Sequence, residues 1–344
     1  MPRKYFVRAN TSSGLVSLAE NNLDGINRLY VLDGASKSVK TRIIELAAES
    51  LSSLKVEFEY AKNPFNPDHF DAVIAREIGF AVADADCAGT DRAEYIDTNI
   101  ALKGNFDTPF MTGLLLKADS AYSLLYEAYA KAKAIHDEWE KIYIDNINFD
   151  NLNAYGDEII DKLTGDKTGS GSGNVFERFF GASTVDGSMN FIDNLTENLS
   201  ARYFIKGRPG TGKSTFLKKL NQRAIEQGFD TEVYYCSFDK SSLDMVIVPE
   251  LSFCVFDSTS PHEMFPQGDR DNILDFYVHS SLVGTDEKYA SQLRLIGSKY
   301  KHRISEGIAH LRLGNLYMEE REFYLSHMAD NVVISEIAEN LTIF

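Results

Sequence analysis

Displaced by 173 positions, the chain matches itself in three separated blocks. FVRANTSSG from Phe6 falls on FFGASTVDG from Phe179, pairing Phe6, Ala9, Thr11 and Gly14 with Phe179, Ala182, Thr184 and Gly187. The same offset sets LYVLDGASKSVKT from Leu29 on RYFIKGRPGTGKS from Arg202, and DAVIAREIGFAVAD from Asp71 on DMVIVPELSFCVFD from Asp244. Seven of fourteen positions in the last block are identical, in the pattern D-x-V-I-x-x-E-x-x-F-x-V-x-D. One constant offset across separated blocks marks two copies of one domain. Between them LTGDKTGSGSGN, from Leu163, has no apolar period and reads as a flexible linker. The expected division is residues 1–163, a Gly/Ser-rich linker at 164–174, and residues 175–344. Each copy then has an ordinary domain size.

The order of elements within a copy points to an α/β fold. In the second copy Tyr203–Ile205 reads as a strand, and Lys213–Ile225 as a helix with Phe216, Leu217, Leu220, Ala224 and Ile225 on one face. Val233–Phe238 reads as a second strand. Phe253–Phe256 is a continuous apolar run of the kind buried on both faces of a parallel sheet. Strand, glycine turn, helix and strand open a βαβ unit, so a mostly parallel sheet with flanking helices is expected in each copy. The tail of each copy turns helical: Leu125, Tyr129, Ala132, Trp139 and Ile142 follow a 3.6-residue period, as do Ile304, Ile308 and Leu311.

Gly207-Arg208-Pro209-Gly210-Thr211-Gly212-Lys213-Ser214 fits G-x-x-x-x-G-K-[ST], between a predicted strand and a predicted helix as that motif requires. Glycines at 207, 210 and 212 permit backbone torsions that aim successive N–H groups at phosphate oxygens. The helix start adds positive charge. Lys213 is expected to reach the β- and γ-phosphates of ATP and the Ser214 hydroxyl to ligate Mg²⁺, with Thr215 next in line for the α-phosphate. Asp257, closing the FCVF strand, has the form of the second metal carboxylate; the alternative is a cap for the STSPH turn. Ser258, not Glu, follows it, so a catalytic base must come from elsewhere. Glu250, Asp239 and His262 are the candidates.

The first copy is an internal control. Its loop reads Gly34-Ala-Ser-Lys-Ser-Val39-Lys40-Thr41, with Lys37 in place of Gly210 and Val39 in place of Gly212. A β-branched residue where the backbone must approach phosphate strains and blocks such a loop, so weak or absent nucleotide binding is expected there. Asp71, Glu77 and Asp84 nevertheless match Asp244, Glu250 and Asp257, so these carboxylates owe part of their presence to the fold.

Charge and composition narrow the function. With 35 Lys and Arg against 51 Asp and Glu the net charge is −16, which disfavours general nucleic-acid binding and docking to anionic lipid. MPRKYFVRAN lacks the apolar core of a signal peptide and no run suits a membrane span, so a cytoplasmic protein is expected. Cys87, Cys236 and Cys254 are too dispersed for a disulfide framework or zinc site; Cys236 and Cys254 read as core thiols.

ASTVDG before the first strand, YFIKGRPGTGKST, the S-L-D-x-V-x-x-P-E-L segment at Ser242–Leu251 and FDSTSPH at Phe256–His262 together resemble a known group. It is an uncharacterised family of tandem P-loop ATPases, nucleotide-kinase-like and chiefly from Gram-positive bacteria. The resemblance implies a P-loop NTPase fold in each copy, with ATP held by Gly207, Gly210, Gly212, Lys213, Ser214 and Thr215. Members carry D-G-T-x-P-H where this chain has Asp257-Ser-Thr-Ser-Pro-His262. The leading expectation is a Mg-dependent ATPase whose second copy binds nucleotide beside a degenerate first copy. A small-molecule or nucleotide kinase is the rival, since such kinases use a similar loop and Arg294, Lys299, Lys301 and Arg303 could face phosphates or form a solvated helix face. A non-hydrolysing ATP-dependent switch, with a protein or small-molecule partner, is the third.

Overall fold

The computed structural model describes residues 1–88, 92–280 and 282–342. The first copy runs β1 (Arg3–Phe6), β2 (Arg8–Thr11), β3 (Gly14–Ser17), α1 (Ala19–Leu23), β4 (Arg28–Asp33), α2 (Lys37–Ser53), β5 (Glu59–Lys62), β6 (Phe70–Ala75), β7 (Phe80–Asp84), β8 (Glu94–Asp97), α3 (Pro109–Ile144) and α4 (Phe149–Thr164). The second runs β9 (Val175–Arg178), β10 (Gly181–Thr184), β11 (Gly187–Asn190), α5 (Ile192–Leu195), β12 (Ala201–Lys206), α6 (Lys213–Glu226), β13 (Thr231–Tyr235), β14 (Leu243–Val248), β15 (Phe253–Asp257) and β16 (Asp271–Asp275). It ends with α7 (Phe276–His279), α8 (Thr285–Lys288), α9 (Ala290–Met328) and α10 (Asn331–Leu341).

The two six-stranded sheets have one topology, β1-β5-β6-β7-β4-β8 and β9-β13-β14-β15-β12-β16. Only β6 and β14 run against their neighbours. The cause is local: tight 3-10 turns, Arg76–Ile78 and Pro249–Leu251, join each to the next strand, too short for a parallel crossover. The expected mostly parallel sheets with flanking helices are present. The repeated D-x-V-I-x-x-E-x-x-F-x-V-x-D pattern is this strand-turn-strand unit. In each sheet the strand leading into the glycine-turn position lies between two parallel neighbours, β7 and β8 around β4, β15 and β16 around β12.

The copies interlock. Phe6 and Phe179, equivalent by the repeat, exchange reciprocal N–H···O bonds of 2.9 Å. Tyr5, Val31 and Ile74 share a core with Phe180, Phe204 and Met245, so one face of each sheet is buried against the other copy. The opposite faces are closed by exchanged helices. Leu152, Ile159, Ile160 and Leu163 of α4 join Leu217, Leu220 and Val246 of the second copy; Ile334, Ile337 and Leu341 of α10 join Ile43, Ile44 and Ala47 of the first. The long helices α3 and α9 pack antiparallel, since Gly297, Gly307 and Gly314 approach Trp139, Tyr129 and Tyr122 in reverse order. A Cβ at Gly307 would stand 2.3 Å from the Tyr129 ring, so this crossing requires glycine. The apolar stripes of the two tails are that seam, with Leu125, Tyr129, Ala132 and Leu311 buried in it.

The 164–174 segment, expected as a Gly/Ser-rich linker, lies along the second copy. Gly169 N–H donates to the Gln227 carbonyl at 2.8 Å, Ser170 donates to Glu250, and Ser172 and Asn174 N–H donate to Asp230. Lacking side chains at Gly169 and Gly171, the backbone lies directly on the second copy. Among the described residues no helix is long and apolar enough to cross a membrane.

Candidate functional site

At the C-terminal edge of the second sheet, β12 ends at Lys206 and α6 begins at Lys213, with Asp257 of β15 paired beside Ile205. The turn between them holds Gly210 at φ 77° and Gly212 at φ 73°, left-handed values that favour glycine. Gly210 is needed for space as well: a Cβ there would meet Ile144 Cγ1 at 2.9 Å and the Glu140 carbonyl at 3.0 Å, both on α3 of the other copy. Within the turn Thr211 Oγ1 and Lys213 Nζ donate to the Arg208 carbonyl at 2.8 and 2.9 Å. Lys213 Nζ lies 3.5 Å from Asp257 Oδ2.

The other predicted residues are placed with them, in different roles. Arg208 turns outward to pair with Asp286 at 2.6 Å, and Pro209 is half-buried. Ser214 Oγ accepts from Leu243 N–H at 2.9 Å, while Thr215 is exposed on the first turn of α6. Asp257 Oδ1 accepts from the Thr259 N–H and hydroxyl, as expected of a cap, while Oδ2 faces Lys213.

Of the three candidate bases, Glu250 is misplaced. Because β14 runs backwards, the turn carrying Glu250 lies at the start of β15, at the sheet edge opposite the loop, where it binds Ser170. Its repetition with Glu77 reflects the shared strand-turn-strand unit. Asp239 is held by Ser241 N–H and pairs with Lys133 of α3. His262 packs edge-on against Phe180, and burial lowers its pKa to about 4 against the pull of Asp257, so its imidazole is neutral at pH 7. On α9, Arg294, Lys299 and Lys301 are exposed and Arg303 pairs with Glu306: this is a solvated face.

The first copy accounts physically for its altered loop. Lys37 and Val39 disfavour the left-handed conformation of Gly210 and Gly212, and α2 begins at Lys37, three residues earlier in register than α6. The turn has become helix. Ser36 Oγ caps Val39 N–H at 3.2 Å, and Glu322 of α9 accepts from Ser36 Oγ, Lys37 N–H and Ser38 N–H at 2.9, 2.9 and 3.0 Å. A carboxylate from the other copy thus occupies the anion position at this helix start.

The paired aspartates are also satisfied internally. Asp84 lies between Lys37 and Lys40, and Asp71 between Arg8, at 2.6 Å, and Asn63, at 2.8 Å. Burial alone would raise the Asp84 pKa, but Lys37 and Lys40 outweigh it and hold the carboxyl below its ordinary value. In the second copy the positions of Arg8, Asn63 and Lys37 carry Gly181, Cys236 and Gly210. Asp244 is 7% exposed beside Asp257, and burial followed by that neighbouring charge pushes its pKa up to about 7 against the hydrogen bond with Cys236 and the pull of Lys213.

This contrast predicts opposite mutational effects at one repeated position. An acid whose pKa is raised by folding costs no stability below its unfolded value near 4, and costs more as pH rises toward 7. Asp244→Asn is therefore expected to stabilise the metal-free chain by about 1–3 kcal/mol at pH 8 and by little at pH 4. Asp71→Asn strands Arg8 and is expected to destabilise it. Thermal melts at the two pH values check both, and a lower Tm for Asp244→Asn at pH 8 would count against a net unfavourable buried charge.

Sequence reading missed the contribution of α3. His136, Asp137 and Glu140 cluster on it, with His136 Nδ1 3.8 Å from Glu140 Oε1. The signal was present but displaced. The second copy is longer ahead of its final helices, so the N-caps Asn148 and Asp330 are 182 positions apart instead of 173, and Glu140 stands in that offset to Glu322. At it, DEWE from Asp137 matches EERE from Glu319. No protein-family model, curated protein or solved structure matches the chain.

Proposed function

We propose that the second copy binds Mg-ATP at the 207–214 loop and hydrolyses it, while the first copy binds no nucleotide and serves as its partner. One observation carries this reading: the aspartate pair common to both copies is neutralised by Arg8, Asn63, Lys37 and Lys40 in the first, and of these the second keeps only the Lys40 counterpart, Lys213, 3.5 Å from Asp257. Asp244 is a buried carboxylate whose charge is disfavoured by burial and Asp257 and only partly offset by Lys213, and glycines at 207, 210 and 212 bare the backbone of the neighbouring turn. Those features fit a divalent cation and a phosphate chain.

In this reading the backbone N–H groups of Gly210 to Ser214 take phosphate oxygens, and Lys213 leaves the Arg208 carbonyl for the β- and γ-phosphates. The Ser214 hydroxyl and Asp257 would hold Mg²⁺, with Asp244 behind them. The ion's contribution is to neutralise charge developing on the phosphate oxygens. Thr215 and Arg208 flank the phosphates, and Pro209 stiffens the turn.

Phosphate release from Mg-ATP by the full chain, with no second substrate, tests the reaction. Release under single-turnover conditions is expected. Transfer only to an added nucleoside, nucleotide or other acceptor would assign a kinase instead, and tight binding with neither outcome would assign a switch.

A further inference from the structure

The first copy reaches into the second copy's loop through α3. The Glu140 carbonyl and Cβ lie 3.0 and 3.4 Å from where a side chain on Gly210 would begin, and Ile144 lies at 2.9 Å. The glutamate in the equivalent place on α9 shows what this position can reach. Glu322 sets both carboxylate oxygens on the N–H groups of Lys37 and Ser38, the residues that align with Gly210 and Thr211. A carboxylate carried there addresses the anion position of the loop.

The two glutamates differ in what surrounds them. Glu322 is 7% exposed and bound to three donors, so in the first copy it replaces an anion. Glu140 is half-buried with a side chain 34% exposed, has His136 as its nearby partner, and makes no hydrogen bond to the 207–214 loop. Of the loop N–H groups aligned with those of Lys37 and Ser38, that of Thr211 donates to the Arg208 carbonyl at 3.2 Å, a bond within the turn that an incoming anion would replace. His136 meets two rings of the second copy, Phe238 edge-on at 6.4 Å and Tyr300 at a tilt at 5.6 Å between centroids, which fixes its position next to Glu140. Lys133, one helical turn earlier, ties α3 to Asp239 at 3.3 Å.

We infer that Glu140, supplied by the first copy, is the base for the reaction at the second copy's loop, with His136 as its positioning residue. The inference rests on the nucleotide reading above. The oxygen of a water molecule forms a bond to the γ-phosphorus as the bond from that phosphorus to the β-phosphate oxygen breaks. Glu140 takes the water proton and returns it to solvent, leaving ADP and phosphate. This assigns a reason for the tandem arrangement: the degenerate copy cannot bind nucleotide itself, yet its helix completes the intact site. It also supplies the residue absent after Asp257, where Ser258 stands.

The test uses the full chain with Glu140→Gln, Glu140→Asp and, as a control on the same helix, Glu138→Gln. Glu140→Gln is expected to slow phosphate release about 100-fold or more while the Kd for Mg-ATP stays within about threefold. Binding of Mg-ADP with fluoroaluminate, a mimic of the transferring phosphoryl group with its attacking water, should weaken by a comparable factor, whereas Mg-ADP alone binds as before. Glu140→Asp should fall between the two, and Glu138→Gln should match wild type throughout. Wild-type turnover in Glu140→Gln would overturn the assignment. So would tighter Mg-ATP binding at unchanged turnover, the signature of a carboxylate that only repels phosphate. Wild-type chain that binds Mg-ATP without hydrolysing it overturns the base and leaves the nucleotide site standing, whereas absence of binding removes both.

Discussion

Lys213→Ala is expected to lower the affinity for Mg-ATP about 100-fold or more, roughly 2.8 kcal/mol, while Lys40→Ala leaves it within about twofold. Both lysines occupy the same place in the repeat and both are nearly buried. Their partners separate them. Lys213 is held by a single carbonyl and stands 3.5 Å from Asp257, a weak set that phosphate oxygens can replace. Lys40 is locked at 2.8 Å on Asp84, which Lys37 also holds, at a helix start already capped by Glu322. Removing Lys40 should instead appear as a loss of about 1–3 kcal/mol in folding stability, because Asp84 loses one of two cations. Calorimetric titration separates the affinities and denaturant unfolding the stabilities. Equal losses of affinity in the two variants would refute the division between copies.

The largest loss of stability is expected at Arg178. Its side chain is buried where the copies meet, 3.0 Å from Glu59 of the first and 3.3 Å from Glu232 of the second, with its guanidinium 4.1 Å above the Tyr5 ring. Glu59 and Glu232 are equivalent in the repeat and both pair with Arg178. Arg178→Met keeps much of the volume and leaves two carboxylates with only Arg3 and Arg76 to neutralise them, at an expected cost of about 3–5 kcal/mol at pH 7.

That cost should depend on pH with a definite sign. Burial alone would raise the Glu232 pKa, but Arg178 and Arg3 outweigh it and hold it at about 2; Glu59 is lowered likewise by Arg178 and Arg76. The unfolded chain therefore binds protons first on acidification. Stability contributed by these pairs is complete above the ordinary carboxylate range near 4.3 and disappears as pH falls toward 2. The gap between wild type and Arg178→Met in urea unfolding should narrow over that interval. A gap independent of pH would assign the arginine's contribution to packing alone.

Much of each domain was legible because its signals are local. Apolar runs and glycine turns mark β12, α6 and β15, and the torsions at Gly210 and Gly212 follow from residue type. That the first loop departs from the second was legible too, though its form was not: with Lys37 and Val39 in place of glycines, α2 extends through the turn position. What stayed hidden was partnership. The 3.6-residue stripes of α3 and α9 require a buried face without saying against what, and the exchange of α4 and α10 between copies left no trace in periodicity. Glu322 and Glu140 escaped for a different reason, since the 173-residue offset that defines the repeat no longer aligns them. Glu250 misled for the converse reason. Repetition at the correct offset preserved a turn, not a site.

The distinction between the copies is tested most directly by the number of Mg-ATP sites in the wild-type chain. Calorimetric titration at neutral pH should give one site per chain, filled by the second copy's loop and absent in Lys213→Ala. Two equivalent sites would contradict the replacement of an anion by Glu322 in the first copy, and no binding at all would contradict the nucleotide site itself.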